Sequence, residues 1–133
     1  MAGSIAIPDV PAGLLLSRDL IFTSKVTGTA RALGHQVITA GNVALVSALL
    51  ERWSPEVVFV DLSAGDLVVP TALLAYKALA PTSPFVAFGA HVDTATLAAA
   101  SAAGCDPVLP RSRFTAELPD LIRRYFDRTN LTS

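Results

Sequence analysis

Five short apolar runs, each separated from the next by a longer segment of helical periodicity, constrain this chain more than any other feature. They are Leu14-Leu15-Leu16, Gln36-Val37-Ile38-Thr39, Glu56 to Asp61, Phe85-Val86-Ala87-Phe88 and Val108-Leu109. Val57 to Val60 are all β-branched or aromatic, which suits an extended, pleated backbone. The clearest runs are apolar at every position rather than at alternate ones, as expected of parallel strands buried on both faces.

The intervening segments read as helices. Val26, Ala30 and Leu33 recur at helical spacing, and Gly34 supplies a stop. Asn42 is placed to cap a helix that buries Val43, Val46, Leu49, Leu50 and Trp53, with Pro55 closing it. Pro70 fits the first turn of a helix running to about Leu79. Thr94 to Ala103 is alanine-rich and ends at Gly104, and His91 is expected to begin this fourth helix. Thr115 is expected to cap the last helix, with Leu118, Leu121, Ile122 and Tyr125 on one face and Pro119 in the first turn. The order βαβαβαβαβα predicts an α/β fold: a five-stranded parallel sheet with helices on both faces. Residues 1–11, with two prolines and a glycine, read as a flexible arm, residues 12–129 as one domain and residues 130–133 as a tail.

Composition narrows the function. The chain has 133 residues, enough for one domain, and is 52% hydrophobic and 16% charged, so it can bury a core. A net charge of −1 argues against wrapping nucleic acid, and the basic tint of Arg111, Arg113, Arg123, Arg124 and Arg128 is diluted by Asp106, Glu117, Asp120 and Asp127. One cysteine makes no internal disulfide or cysteine-rich zinc site, and Cys105 reads as a small buried apolar residue. No lysine or arginine precedes Arg18, and prolines break the apolar stretches before they reach membrane-spanning length. A cytoplasmic location is the expectation. No membrane partner is expected.

In such sheets chemistry gathers at the carboxyl ends of the strands. There the sequence places Ser17-Arg18-Asp19, Asp61, Gly89-Ala90-His91 and Pro110-Arg111-Ser112. With Val58-Phe59-Val60-Asp61-Leu62, Ala103-Gly104-Cys105-Asp106 and Gly34-His35-Gln36-Val37, the stretch from about Gly13 to Arg124 resembles a response-regulator receiver domain. The resemblance implies the CheY-like, flavodoxin-like (βα)5 fold. It also implies that Asp61 occupies the phosphoacceptor position of a two-component phosphorelay, which works with bound Mg²⁺.

The other positions depart from that pattern. Ser17 and Arg18 stand where the resemblance implies a metal-binding acidic pair, with Asp19 one residue later. Gly89 replaces a serine or threonine, Arg111 a lysine, Ser112 a proline and Val108 an aromatic residue. Mg²⁺ takes six hard oxygen ligands. At ~5 Å from the Arg18 guanidinium it would be repelled by up to roughly 6–7 kcal/mol at an effective dielectric of about 20. Phosphoryl transfer relies on such a metal for charge neutralisation.

The expectation is therefore a pseudo-receiver whose Asp61 is held by Arg18, Arg111 or both as a fixed ion pair, with no cofactor, no metal and no catalysis. Ser17, Arg18, Asp19, Gly89 and Arg111 would form the pocket, with Asp19 in the first turn of the first helix. His91 would lie at the pocket rim, and Trp53 would pack in or beside the second helix. Such a domain would act as a protein-interaction module. The resemblance implies a protein partner or homodimer at the face made by helix 4, strand 5 and helix 5, where the alanines of the fourth helix allow close approach. The competing expectation is a phosphorylatable receiver that binds Mg²⁺ through Asp19 and Asp61. A nucleotide-binding doubly wound domain ranks lower, because Leu16-Ser17-Arg18-Asp19 lacks a glycine-rich turn. Nucleic-acid binding ranks last.

Overall fold

A computed structural model describes residues 6–127. The chain alternates β1 (Ala12–Leu16), α1 (Leu20–Ala32), β2 (Gln36–Ala40), α2 (Val43–Leu50), β3 (Val58–Asp61), a short 3₁₀ turn (Gly65–Val68), α3 (Pro70–Leu79), β4 (Phe85–Gly89), α4 (Thr94–Ala102), β5 (Val108–Pro110) and α5 (Arg111–Asp127). The five strands are parallel and ordered β2-β1-β3-β4-β5. The (βα)5 architecture expected from the five runs is the one observed.

Because successive side chains of a strand point to opposite faces, the apolar runs feed two separate cores. Leu14, Leu16, Val58, Val60, Phe85 and Ala87 face α2, α3 and α4. Leu15, Val57, Phe59, Val86 and Phe88 face α1 and α5, where Phe22, Phe114 and Phe126 join them. Burying both faces of three central strands is what excludes water from the sheet, and it explains why no polar alternation is visible in these runs.

Several local expectations need correction. The last helix begins at Arg111, so Thr115 lies in its second turn and Pro119 in its interior. The earlier start puts Phe114, Leu118, Leu121, Ile122 and Phe126 on one buried stripe, and burying Phe114 outweighs the single backbone bond that Pro119 cannot donate. Helix α2 ends at Leu50, so Trp53 lies beyond it, half-buried at the edge of the aliphatic core, and Val43 is 38% exposed. Leu33 and Tyr125 pack at the margin of the aromatic core rather than inside it. His91 sits in the exposed turn before α4, which Asp93 caps by accepting from the Thr96 N–H. Cys105 is buried, and burial pushes its thiol up to about 11. Arg128 and the tail at 130–133 lie outside the described residues.

Candidate functional site: a carboxylate at the strand ends

The strand order turns back between β1 and β3, and the two strands run in register with Leu16 beside Val60. The next residues out, Ser17 and Asp61, therefore meet at the carboxyl edge. The Ser17 hydroxyl donates to Asp61 Oδ2 at 2.8 Å and accepts the Asp19 N–H at 3.2 Å. Both residues are buried, Asp61 to 1% exposure.

Oδ1 of Asp61 carries three donors. The chain turns just past β3, so the Ser63 N–H reaches back to it at 3.0 Å, and the Ser63 hydroxyl donates to the same oxygen at 2.6 Å. Arg111 Nη2 completes the set at 2.8 Å and also donates to Ser63 Oγ at 2.9 Å. Arg111 leaves β5 at the far edge and must cross β4 to arrive there. Its guanidinium passes 5.0 Å from the Phe22 ring centroid and 5.4 Å from that of Phe88, so two aromatic faces guide a planar cation to the carboxylate. Phe88 in turn stacks on Phe114 at 4.0 Å.

Arg18 goes elsewhere, contrary to the expectation that it holds Asp61. Its Nε donates to the Gly41 carbonyl at 2.8 Å, and its Nη1 donates to the Ala64 carbonyl at 3.2 Å and to Asp66 Oδ1 at 2.7 Å. With Asp61 already surrounded by Ser17, Ser63 and Arg111, the exposed Asp66 and two open carbonyls are the acceptors within reach. This hydrogen bond, with the nearby charge, holds the Asp66 carboxyl below the usual carboxylate range. Asp19 is also displaced from its expected place. It precedes α1 as the N-cap, its Oδ1 accepting from the Phe22 N–H at 3.0 Å, so the side chain secures a helix end.

Gly89 ends β4 on the side of Leu62 and Leu97, away from Arg111. A Cβ there would lie 3.2 Å from Leu62 Cβ and 3.4 Å from Leu97 Cδ2, so a side chain at this position needs Leu62 to shift by a few tenths of an ångström. Arg18, Asp19, Asp61, Ser63 and Ala64 line an open cleft of about 330 Å³. Sequence reading missed Ser63, although an aspartate followed two residues on by a serine is the pattern of a side-chain-to-backbone turn. Among the described residues no group of three or more histidine, cysteine, aspartate or glutamate side chains stands together.

The fold is that of response-regulator receiver domains. The chain is similar to the receiver domain of a sensor histidine kinase from Pseudomonas aeruginosa, solved with a magnesium ion coordinated in its active-site cleft. Identity is 19%, the TM-score is 0.74, and the match covers 86% of this chain and 96% of that one. It is similar also to a two-component response regulator from Clostridium difficile, at 16% identity and a TM-score of 0.77, covering 91% and 99%. A third similar structure is the beryllofluoride-activated NtrC4 receiver domain dimer, at 17% identity and a TM-score of 0.70, covering 86% and 98%. No known protein family matches the sequence, and no curated protein matches it.

Proposed function

We propose that this chain is a degenerate receiver domain that acts in signal transduction by binding a protein, with Asp61 kept as a structural carboxylate rather than a phosphoryl acceptor. One observation carries the reading: both oxygens of Asp61 are engaged from within the chain by Ser17, Ser63 and Arg111. A carboxylate so surrounded is a poor nucleophile and a poor ligand. The donor set also fits Mg²⁺ badly, since Asp19 caps a helix and the neighbouring position carries a guanidinium. No step of a reaction is assigned to the site. With Gly89 offering no hydroxyl and Val108 no ring, the two devices by which the resemblance would relay phosphorylation are missing as well.

Under this reading the domain works in the cytoplasm, in a pathway of the two-component type, and its output is contact, not catalysis. Helix α4, which carries no charged residue, belongs to the expected α4–β5–α5 face. The second reading, a phosphorylatable receiver, draws on the cleft that leaves Asp61 approachable beside Asp19. A small phosphodonor with Mg²⁺, followed by intact mass, separates the two. No gain of mass is expected. A gain of one phosphoryl group that disappears in Asp61→Ala overturns the proposal.

A further inference from the structure

The two free edges of the sheet are finished differently. Strand order β2-β1-β3-β4-β5 leaves β2 and β5 each with one side that no other strand covers. At one end, β5 has three residues, Val108–Pro110, with Pro107 just before it. Proline donates no backbone hydrogen bond, and a short strand bounded by prolines is one way a sheet keeps its edge from pairing. At the other end, β2 is Gln36-Val37-Ile38-Thr39-Ala40, five residues without a proline, a glycine or a charge. Val37, Ile38 and Thr39 are all β-branched and favour the extended form. None of the usual guards against edge pairing stands within this strand.

Register decides which backbone groups the open edge offers. The Leu14 N–H donates to the Val57 carbonyl on the β3 side, so its neighbours Gly13 and Leu15 turn their groups toward β2. With Gly13 beside Val37 and Leu15 beside Thr39, the parallel ladder engages Gln36, Ile38 and Ala40 of β2. The N–H and C=O of Val37 and Thr39 therefore point outward, and they have no hydrogen-bond partner among the described residues. A cleft of about 340 Å³ opens among Thr27, Arg31, His35, Gln36 and Val37, so α1 does not roof the start of this edge.

We infer that the outer edge of β2 pairs antiparallel with β2 of a second copy of this chain, joining the two sheets across a two-fold axis at Ile38. A two-fold contact requires a surface complementary to itself. An axis at Ile38 sets Val37 against Thr39 of the second copy, and Thr39 against Val37 of the second copy. Each of those pairs exchanges two N–H···O bonds, as in any antiparallel ladder, and the two Ile38 side chains meet between them. Outward residues spaced evenly about one centre are what let the strand serve as its own partner. No like charges oppose each other in this ladder, because β2 carries none. The proline-bounded β5 edges stay outside, so pairing stops at two copies and does not grow into a filament. A contact centred on one short strand belongs with weak, reversible associations. It leaves the α4–β5–α5 face to a protein partner and is independent of the role proposed for Asp61.

Sedimentation velocity on the intact chain, from micromolar to millimolar concentration, tests the association, and residue-resolved amide exchange tests the register. A concentration-dependent dimer is expected. The Val37 and Thr39 amides should exchange about tenfold more slowly in concentrated than in dilute solution. Those of Ile38 and Ala40, already bonded to β1, should not change. Thr39→Pro removes an outward donor without touching the β1–β2 ladder, so the monomer should keep its thermal melt while the dimer weakens about tenfold or more. Thr39→Lys keeps the backbone donor, sets a charge at the edge, and should weaken the dimer even if the proline variant melts early. Ala98→Glu on α4 should leave the dimer intact. A chain monomeric at every concentration overturns the inference. So does a dimer whose Val37 and Thr39 amides gain no protection, or one broken by Ala98→Glu and untouched by both Thr39 variants. None of these outcomes bears on Asp61, whose phosphorylation would end the role proposed for it without touching the dimer.

Discussion

The two layers that sandwich the sheet are packed on different terms. Between the sheet and α1/α5 the core is aromatic: Phe114 lies 4.0 Å from Phe88, 5.4 Å from Phe59 and 5.8 Å from Phe22, ring centroid to ring centroid. Between the sheet and α2/α3/α4 it is built mostly of leucine, valine and alanine around Tyr76 and Phe85, with the Tyr76 hydroxyl donating to the Leu67 carbonyl at 2.7 Å, and it leaves a hollow. Flat rings offer broad faces, and the Arg111 guanidinium lies against two of them, whereas on the other face the recorded cation–ring contact is Lys77 over Phe85 at 5.1 Å. Arg111 reaches Asp61 along the aromatic side, past Phe22 and Phe88, while Gly89 faces Leu62 and Leu97 on the aliphatic side.

Phe114→Ala removes a fully buried ring from a dense cluster and should cost about 3–5 kcal/mol in urea unfolding. Leu73→Ala, beside a space that is already open, should cost about 2–3 kcal/mol, the lower part of the range for such truncations. If Leu73→Ala matched or exceeded Phe114→Ala, the aromatic layer would not be the tighter one. Arg111→Met keeps the stem against Phe22 and Phe88 but removes a charged donor from a buried carboxylate, and about 1–3 kcal/mol of stability should go with it. Chemical denaturation reads that loss, and no change would mean the two serines alone suffice for Asp61. Gly89→Ser pushes a Cβ against Leu62, and a loss of about 1–2 kcal/mol is expected from overpacking; a stabilised variant would show that the aliphatic side is loose at that point.

The smallest effect lies at high pH. The unfolded Cys105 thiol ionises near its ordinary 9.0, whereas the folded one resists until about 11. The unfolded state therefore sheds its proton first. Stability tied to this group is intact below pH 9 and falls between pH 9 and 11. Urea midpoints of the parent chain and Cys105→Ala should run parallel below that window and diverge within it.

The architecture was legible because strands buried on both faces advertise themselves as unbroken apolar runs, and Val57 to Val60 does so without ambiguity. Asp61 was legible because it ends the clearest of them. The company Asp61 keeps was legible only in part. Arg111 follows β5 directly, so its arrival could be anticipated from order alone. Arg18 has acceptors 23 to 48 residues away in the chain, and which of them wins depends on how three loops come together. Thr115 looked like a helix start because threonine caps well; the requirement to bury Phe114 one residue earlier is a tertiary demand that local preference does not contain. Asp19 is the converse case, where the local rule of an aspartate capping a helix outlasted any reading of it as a ligand.

Through one guanidinium Arg18 fastens the segment after β1 to Gly41 beyond β2 and to Ala64 and Asp66 beyond β3. Three neighbouring loops thus share a single rivet. Replacing Arg18 therefore removes the tie from all three loops at once, where replacing Asp66 loosens only one.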